Sequence, residues 1–272
     1  RSTIRLNNGV EIPRLGLGVY RAAAGSETRN AVLWALEAGY RHVDTAAIYG
    51  NEADVGRAIR ESGIPREEVF ITTKLWNDDH GYDAALAAFD ASLERLGLDY
   101  VDLYLIHWPV SDLRLESWRA LERLYEEGRA RAIGVSNYMV PHLEELLAHC
   151  NVVPAVNQIE LTPWSWRSRR DVVELCRTHG IALEAYSPLT KGRKLGDPTL
   201  RSVAERVGRT PAQVLIRWAL QRDLIVIPKS VNRGRIRENA DVFDFTLSPA
   251  DMDRLEALDE GLVTGWDPTR AP

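Results

Sequence analysis

The sequence predicts an α/β fold: a (β/α)8 barrel of the TIM type, with an N-terminal β-hairpin and a C-terminal tail over the active-site face. Three observations predict it. Eight short apolar runs recur along 272 residues with helix-like segments between them, a length that one barrel of roughly 250 residues accommodates. Five of the runs follow a helix-like segment closed by glycine, which adopts the left-handed conformation beyond a helix end at no steric cost. Four of the runs end on polar residues with reactive side chains, as strands of a parallel α/β enzyme do at their C-terminal ends.

The elements follow in order. Residues 3–12, with Asn7-Asn8-Gly9 in their middle, read as a hairpin outside the barrel. The first barrel strand spans 15–19. Helix-like residues 31–38 and Gly39 lead into strand 42–44, and residues 55–62 and Gly63 lead into strand 69–73. Residues 84–96 and Gly97 precede strand 101–106, and residues 118–127 and Gly128 precede strand 132–135. Strand 155–158 comes next, then helix 172–179, Gly180 and strand 181–185. Thr210-Pro211-Ala212-Gln213 is a capping box with proline at the first helical position, so a helix starts there before the last strand, 224–227. Ser248-Pro249 starts another helix by the same logic. Residues 259–272 contain glycine and proline without a period and read as a tail that must pack on something. No boundary interrupts 1–272, so the chain reads as a single domain, with an open doubly wound sheet as the alternative architecture.

A net charge of −5 and a pI near 5.8 give no electrostatic reason to expect nucleic acid or an acidic membrane as partner. No apolar stretch approaches a membrane span, and the N-terminus is too polar for a signal peptide. Cys150 and Cys176 sit near helix ends and read as free thiols of a cytoplasmic protein. The basic residues are more telling. Of 34 Lys plus Arg only four are lysines: Lys74, Lys191, Lys194 and Lys229. Lysine is a compact charge that responds to burial, whereas arginine is a planar fork that keeps its proton. Lys74 and Lys229 both end apolar runs.

Asp44, Lys74 and His107 end three neighbouring runs, and Tyr49 follows Asp44 by five residues. Together they suit the protonation of a carbonyl oxygen while hydride reaches its carbon. A free phenol, with a pKa of about 10, is a poor acid at neutral pH. An ammonium beside it lowers that value, so Lys74 is expected to hold Tyr49 below the free phenol range. Asp44 keeps Lys74 charged and in place, and His107 can donate to and orient the same oxygen. His107 has no second ligand at metal-binding spacing, so no metal is expected. A second group gathers at the last strand: Lys229-Ser230-Val231-Asn232, then Arg235, Glu238 and Asn239. A lysine, a hydroxyl and an arginine beside a helix N-terminus suit a phosphate. No G-x-G-x-x-G lies between a strand and a helix, so the Rossmann fingerprint is absent.

These motifs resemble the aldo-keto reductase family from about residue 3 to 259. The resemblance rests on Gly16-Leu-Gly18, Asp44-Thr-Ala-Ala-Ile-Tyr49-Gly-Asn-Glu52, Ile71-Thr-Thr-Lys74-Leu-Trp76-Asn, Leu105-Ile-His107-Trp-Pro and Ile133-Gly-Val-Ser136-Asn137. Val156-Asn-Gln158, Tyr186-Ser187-Pro188-Leu189 and Ile227-Pro-Lys229-Ser230 continue it in order. The branch it resembles is the prokaryotic one of 2,5-diketogluconate reductases. The resemblance implies NADPH-dependent reduction of aldehydes and ketones, dicarbonyl and keto-sugar types included, by a cytoplasmic monomer with Tyr49 as general acid. Asp44 and Lys74 would tune the tyrosine and His107 orient substrate. Ser136, Asn137 and Gln158 match the residues that bond the nicotinamide carboxamide, and Tyr186 the ring stacked beneath it. Lys229, Ser230 and Arg235 would hold the 2′-phosphate, and Glu238 and Asn239 the adenine. Ser187, Leu189, Val231 and Asn232 complete the cofactor set. Thr190-Lys191-Gly192 departs from the family, where glycine commonly follows Pro188-Leu189.

Trp34, Trp118 and Trp218 lie in helix-like segments and read as core. Trp76, Trp108, Trp164, Trp166 and Trp266 follow strands or sit in the tail and read as the catalytic rim, an aromatic wall suited to a small molecule. Tyr20, Trp76, Trp108 and Trp266 form the expected substrate pocket. Compared with mammalian relatives the stretch 108–116 is short, which predicts an open pocket. Two other functions fit some of the residues. Lys74 could form a Schiff base, as in an aldolase, although an aspartate beside it keeps it charged. The chain could also bind the dinucleotide without catalysis, although all four catalytic positions are filled.

Overall fold

In the computed structural model, which describes residues 2–270, eight parallel strands close into a ring. They are β3 (Leu17–Gly18), β4 (His42–Asp44), β5 (Phe70–Leu75), β6 (Val101–Ile106), β7 (Ala130–Ser136), β8 (Val156–Glu160), β9 (Ala182–Tyr186) and β10 (Ile225–Val226). Each strand pairs with the next in the chain, from β3 to β10. The first and last meet through parallel bridges, Leu15 with Val226 and Gly18 with Lys229. Closure explains the two glycines of β3 and its approach. A Cβ on Gly16 would lie 2.6 Å from the His42 ring, and one on Gly18 would lie 2.9 Å from the Ile227 carbonyl oxygen. The predicted barrel is therefore the observed one, and the open sheet is not.

The strands are almost wholly buried because helices cover them outside and side chains fill them inside. Between β3 and β8 each connection carries one helix in turn: α1 (Ser26–Glu37), α2 (Glu52–Glu61), α3 (Tyr82–Leu96), α4 (Arg114–Glu126) and α5 (Val140–His149). Then α6 (Arg170–Thr178) joins β8 to β9, and two helices, α7 (Pro198–Val207) and α8 (Pro211–Gln221), join β9 to β10. Finally α9 (Arg233–Ala240) and α10 (Pro249–Glu256) follow the last strand. Gly39, Gly63, Gly97, Gly128 and Gly180 all have positive φ, as their place after helices predicts. Thr210 caps α8 and Ser248 caps α10 through side-chain hydrogen bonds to backbone N–H groups.

An antiparallel hairpin, β1 (Thr3–Arg5) and β2 (Glu11–Pro13), precedes the barrel. Leu6 and Ile12 are buried against Phe70, Leu103, Leu105 and Ile225, so the hairpin plugs the N-terminal end of the barrel. Asn7 and Asn8 fasten its turn by donating to the carbonyls of Pro154 and Arg131, each at 3.0 Å. With that end stoppered, the C-terminal end is the one left open. Among the described residues no helix is long and apolar enough to cross a membrane.

Candidate active site

Parallel register brings the predicted residues together. Side chains alternate along a strand, so His42 and Asp44 of β4 share a face, as do Thr72 and Lys74 of β5. Register pairs Gly18 with Asp44, Asp44 with Thr72, and Gln158 of β8 with Glu184 of β9. These faces point inward. Lys74, fully buried, donates from Nζ to Asp44 Oδ1 at 2.7 Å and to the Thr45 carbonyl at 2.9 Å. The Tyr49 hydroxyl stands 3.3 Å from the same nitrogen. Tyr49 ends a short 3-10 turn, 47–49, that reverses at Gly50 with φ 67°. Its ring lies between Tyr20, 5.1 Å away between centroids, and the edge of His107 at 5.7 Å.

Burial sets the protonation of this group. It pushes the Tyr49 phenol up to about 12; Lys74 draws it down, and Asp44 adds to the rise. The expectation that Lys74 holds Tyr49 below the free phenol value is therefore wrong for the protein by itself. The physical reason is twofold: the ring is removed from water, and the Asp44 carboxylate counters the ammonium. Lys74 loses water too, yet Asp44, Tyr49 and Glu184 more than offset that loss and keep its pKa above the ordinary value. His107 is held well below 6.5 by burial and by the charge on Lys74, so it is a neutral imidazole at neutral pH.

The remaining predicted residues line one cavity of about 1170 Å³ across the C-terminal face, with Asp44, Tyr49 and His107 on its floor. Lys74 lies just behind it. Asn137, at φ 63°, donates to the His107 carbonyl at 3.0 Å and accepts from the Tyr186 hydroxyl at 2.8 Å. Ser136 donates to the Gln158 carbonyl at 2.9 Å. Ser187 and Leu189 line the same cavity, as do Lys229, Ser230, Val231, Asn232, Arg235, Glu238 and Asn239. Asn232 caps α9, accepting from the Arg235 backbone N–H at 3.0 Å, which explains an asparagine there. Glu238 accepts from the Thr210 hydroxyl at 2.8 Å, tying α9 to the start of α8.

Tyr20, Trp76, Trp108 and Trp266 stand around the mouth, with Trp266 5.6 Å from Trp108 and 6.5 Å from Trp76 between ring centroids. The mouth is open: Tyr20 is 46% exposed and Trp266 65%. Trp164 and Trp166 are corrections to the predicted rim. Trp164 is buried in the core, and Trp166 packs edge-on against Trp218 at 5.5 Å, because the chain after β8 turns outward along the barrel wall. The tail reaches the mouth through Thr264, whose backbone N–H and hydroxyl both donate to the buried Glu160 at the end of β8. Lys191, at φ 53°, donates to the Thr264 carbonyl at 2.7 Å. The 190–192 turn is thus bound to the tail. The sequence contained no sign of the Glu160–Thr264 contact, since a glutamate at a strand end is an ordinary residue there. Among the described residues, no group of three or more His, Cys, Asp or Glu is arranged to hold a metal ion.

The profile of the Aldo/keto reductase family matches residues 14–260, which spans the barrel and its site. The chain belongs to this family. Glyoxal reductase of Bacillus subtilis is 51% identical over 268 residues, 98% of this chain and 96% of its own. The 9,11-endoperoxide prostaglandin H2 reductase of Trypanosoma cruzi is 52% identical over 97% of this chain and 94% of its own. An aldo-keto reductase of Bombyx mori, solved in complex with NADP, superposes with a TM-score of 0.90 at 39% identity, covering 97% of this chain and 94% of that one. As an aldo-keto reductase the chain is an oxidoreductase of carbonyl compounds.

Proposed function

We propose that this aldo-keto reductase reduces aldehydes and ketones, small dicarbonyls such as glyoxal among them, with NADPH and with Tyr49 as general acid. One observation carries the reading: a protonated phenol and a neutral imidazole meet on the floor of an aromatic-walled cavity, with a buried ammonium behind them 3.3 Å from the phenol oxygen. The cavity suits an extended dinucleotide. One end offers an amide, a hydroxyl and a flat phenol ring in Asn137, Ser136 and Tyr186; the other offers Lys229 and Arg235 at the start of α9. When bound, NADPH supplies the hydride that reaches the carbonyl carbon. Tyr49 then gives its proton to the carbonyl oxygen, closing the balance to an alcohol and a phenolate that solvent reprotonates. Lys74 stabilises that phenolate, and Asp44 keeps Lys74 charged. His107, being neutral, donates one ring N–H to the same oxygen and fixes its direction.

The kinship to a glyoxal reductase and a prostaglandin reductase supports a tolerant pocket, in keeping with the exposed Tyr20 and Trp266 at the mouth. Steady-state reduction of a panel of aldehydes, ketones and dicarbonyls with NADPH and with NADH tests the proposal. Turnover with NADPH and a requirement for the Tyr49 hydroxyl are expected. No turnover of any carbonyl with either cofactor would overturn it.

A further inference from the structure

Beneath the catalytic floor lies a buried carboxyl that the reduction does not use. Glu184 sits mid-strand on β9, fully enclosed, where the surrounding residues 181–185 are otherwise apolar. Its Oε2 accepts from Gln158 Nε2 at 3.1 Å, and the same amide nitrogen donates to Asp44 Oδ2 at 2.8 Å. Both hydrogens of the Gln158 amide are therefore directed at carboxyl oxygens. An amide turned the other way would set its oxygen against the Asp44 carboxylate and withdraw the hydrogen that Glu184 accepts, so the pair of acids fixes which end of Gln158 faces inward. The amide's acceptor oxygen is left for the cavity that Gln158 lines. The groups around Glu184 are Asp44 and His42 from β4 and Lys74 from β5, with His42 Nε2 3.6 Å from Glu184 Oε1.

We propose that Glu184 is a positioning residue: with Asp44 it locks the Gln158 amide so that an acceptor is presented to the carboxamide of the nicotinamide ring. Asp44 alone holds the amide less firmly, because one acceptor leaves the second amide hydrogen unpaired. The inference rests on the dinucleotide reading above and goes further, since it assigns an orienting part to a residue on the far side of Gln158 from the ligand. What matters is an acceptor oxygen at position 184 rather than a negative charge there.

The experiment compares wild type, Glu184→Gln and Glu184→Leu by NADPH titration and by steady-state reduction of one aldehyde. Glu184→Gln keeps an acceptor oxygen and is expected to rescue both readouts to within about twofold of wild type. Glu184→Leu is expected to bind NADPH about tenfold more weakly, the loss of roughly one oriented hydrogen bond. It should also lower kcat while leaving KM for the aldehyde unchanged, a split that a general loosening of the barrel would not give. In a Gln158→Ala background the same substitution should have no further effect on either readout. If Glu184→Leu does not fold, Glu184→Met supplies the same arm with a more adaptable side chain. Wild-type NADPH affinity in Glu184→Leu, or a Glu184→Gln variant as defective as Glu184→Leu, would overturn the inference. A wild-type protein that neither binds NADPH nor reduces carbonyls would instead overturn the function on which it rests.

Discussion

The Lys74 ammonium stands 3.3 Å from the Tyr49 hydroxyl but only 2.7 Å from an Asp44 carboxylate oxygen, so the phenol sees a cation already neutralised by its closer partner. The tyrosine therefore keeps its proton, with burial pushing it up to about 12, and is poised to give that proton to an alkoxide rather than to water. Lys74 becomes important at the moment the phenolate forms, when a second negative charge appears beside it.

Replacement of Tyr49 by Phe removes the proton donor and leaves the ring against Tyr20 and His107. Reduction should fall by about 10²- to 10⁴-fold, the usual contribution of a general acid. NADPH affinity should stay within about threefold, a margin under 1 kcal/mol. Single-turnover reduction and fluorescence titration check the two halves; retention of more than about a tenth of turnover counts against Tyr49 as the acid.

Lys74→Met strands Asp44 in the barrel without its cation. Breaking a buried pair in this way costs about 3–5 kcal/mol of stability, and removing both charges recovers much of it. Denaturation midpoints should thus rank wild type, then Lys74→Met/Asp44→Leu, then Lys74→Met. Activity should fall in both directions in both variants. Alcohol oxidation should fall more than reduction, because it needs Tyr49 deprotonated. Equal losses in the two directions would shift the acid's role towards His107.

Lys229→Met and Arg235→Ala should each narrow the preference for NADPH over NADH. The cofactors differ only in the 2′-phosphate, and a charge-assisted hydrogen bond is worth roughly 1.5–3 kcal/mol, about 10- to 100-fold in affinity. Dissociation constants for both cofactors decide the matter. Unequal constants in wild type that neither substitution changes would remove these residues from the phosphate site.

Stability should peak near neutral pH for opposing reasons. Burial lowers His42 to about 3 and His80 to about 4, and with the charge of Lys74 it holds His107 well below 6.5. The unfolded chain takes up those protons and the folded chain refuses them, so stability falls as pH drops below about 6.5. Glu184 works in the other sense: burial, then the charge of Asp44, raises it from 4.5 to about 8. Folding requires it to hold a proton that the unfolded chain has released, so its contribution declines as pH rises from the ordinary carboxyl range to about 8. Glu184→Gln should remove the decline between neutral pH and about 8 and leave the acid side in place. Melting temperatures measured from pH 5 to 9 test this; an unchanged alkaline slope would mean that Glu184 is ionised in the fold.

Much of this was legible in the chain because the determinants are local. Glycine after a helix, proline within a capping box and short apolar runs fix the barrel's rhythm one element at a time. Asp44, Lys74 and His107 could be placed because a strand end in a parallel barrel is also an address on its active face. The failures involve relationships across the sequence. Helix α5 ends at Cys150 without a glycine, so it lacks the usual punctuation; α7 has it, with Asp197-Pro198 at its start and Gly208 past its end, but stands between β9 and α8 as an element that an alternation of single strands and helices does not call for. Trp164 and Trp166 follow a strand yet face the wall, since a loop's first residues can leave the mouth as easily as ring it. Glu184 was read as one residue of a strand; a lone acid inside an apolar run was the available signal. The phenol's pKa went wrong because the sequence names the ammonium beside Tyr49 but not the depth at which both are buried.

The Glu160–Thr264 contact joins two parts of the molecule that are built differently. The charges of Asp44 and Lys74 reside on strands whose register is enforced by the whole ring, and the proton of Tyr49 on the turn that follows one of them. Trp266, by contrast, rides on a strap fastened on either side of it, at Thr264 by Glu160 and Lys191 and at Asp267 by Arg169. A substitution at Trp266 acts on the entrance first, since its ring reaches the floor only at second hand, through Trp76 packed edge-on against His107. New substrates can thus be admitted by rewriting a few residues that contribute little to the barrel, while the chemistry beneath them stays as it was.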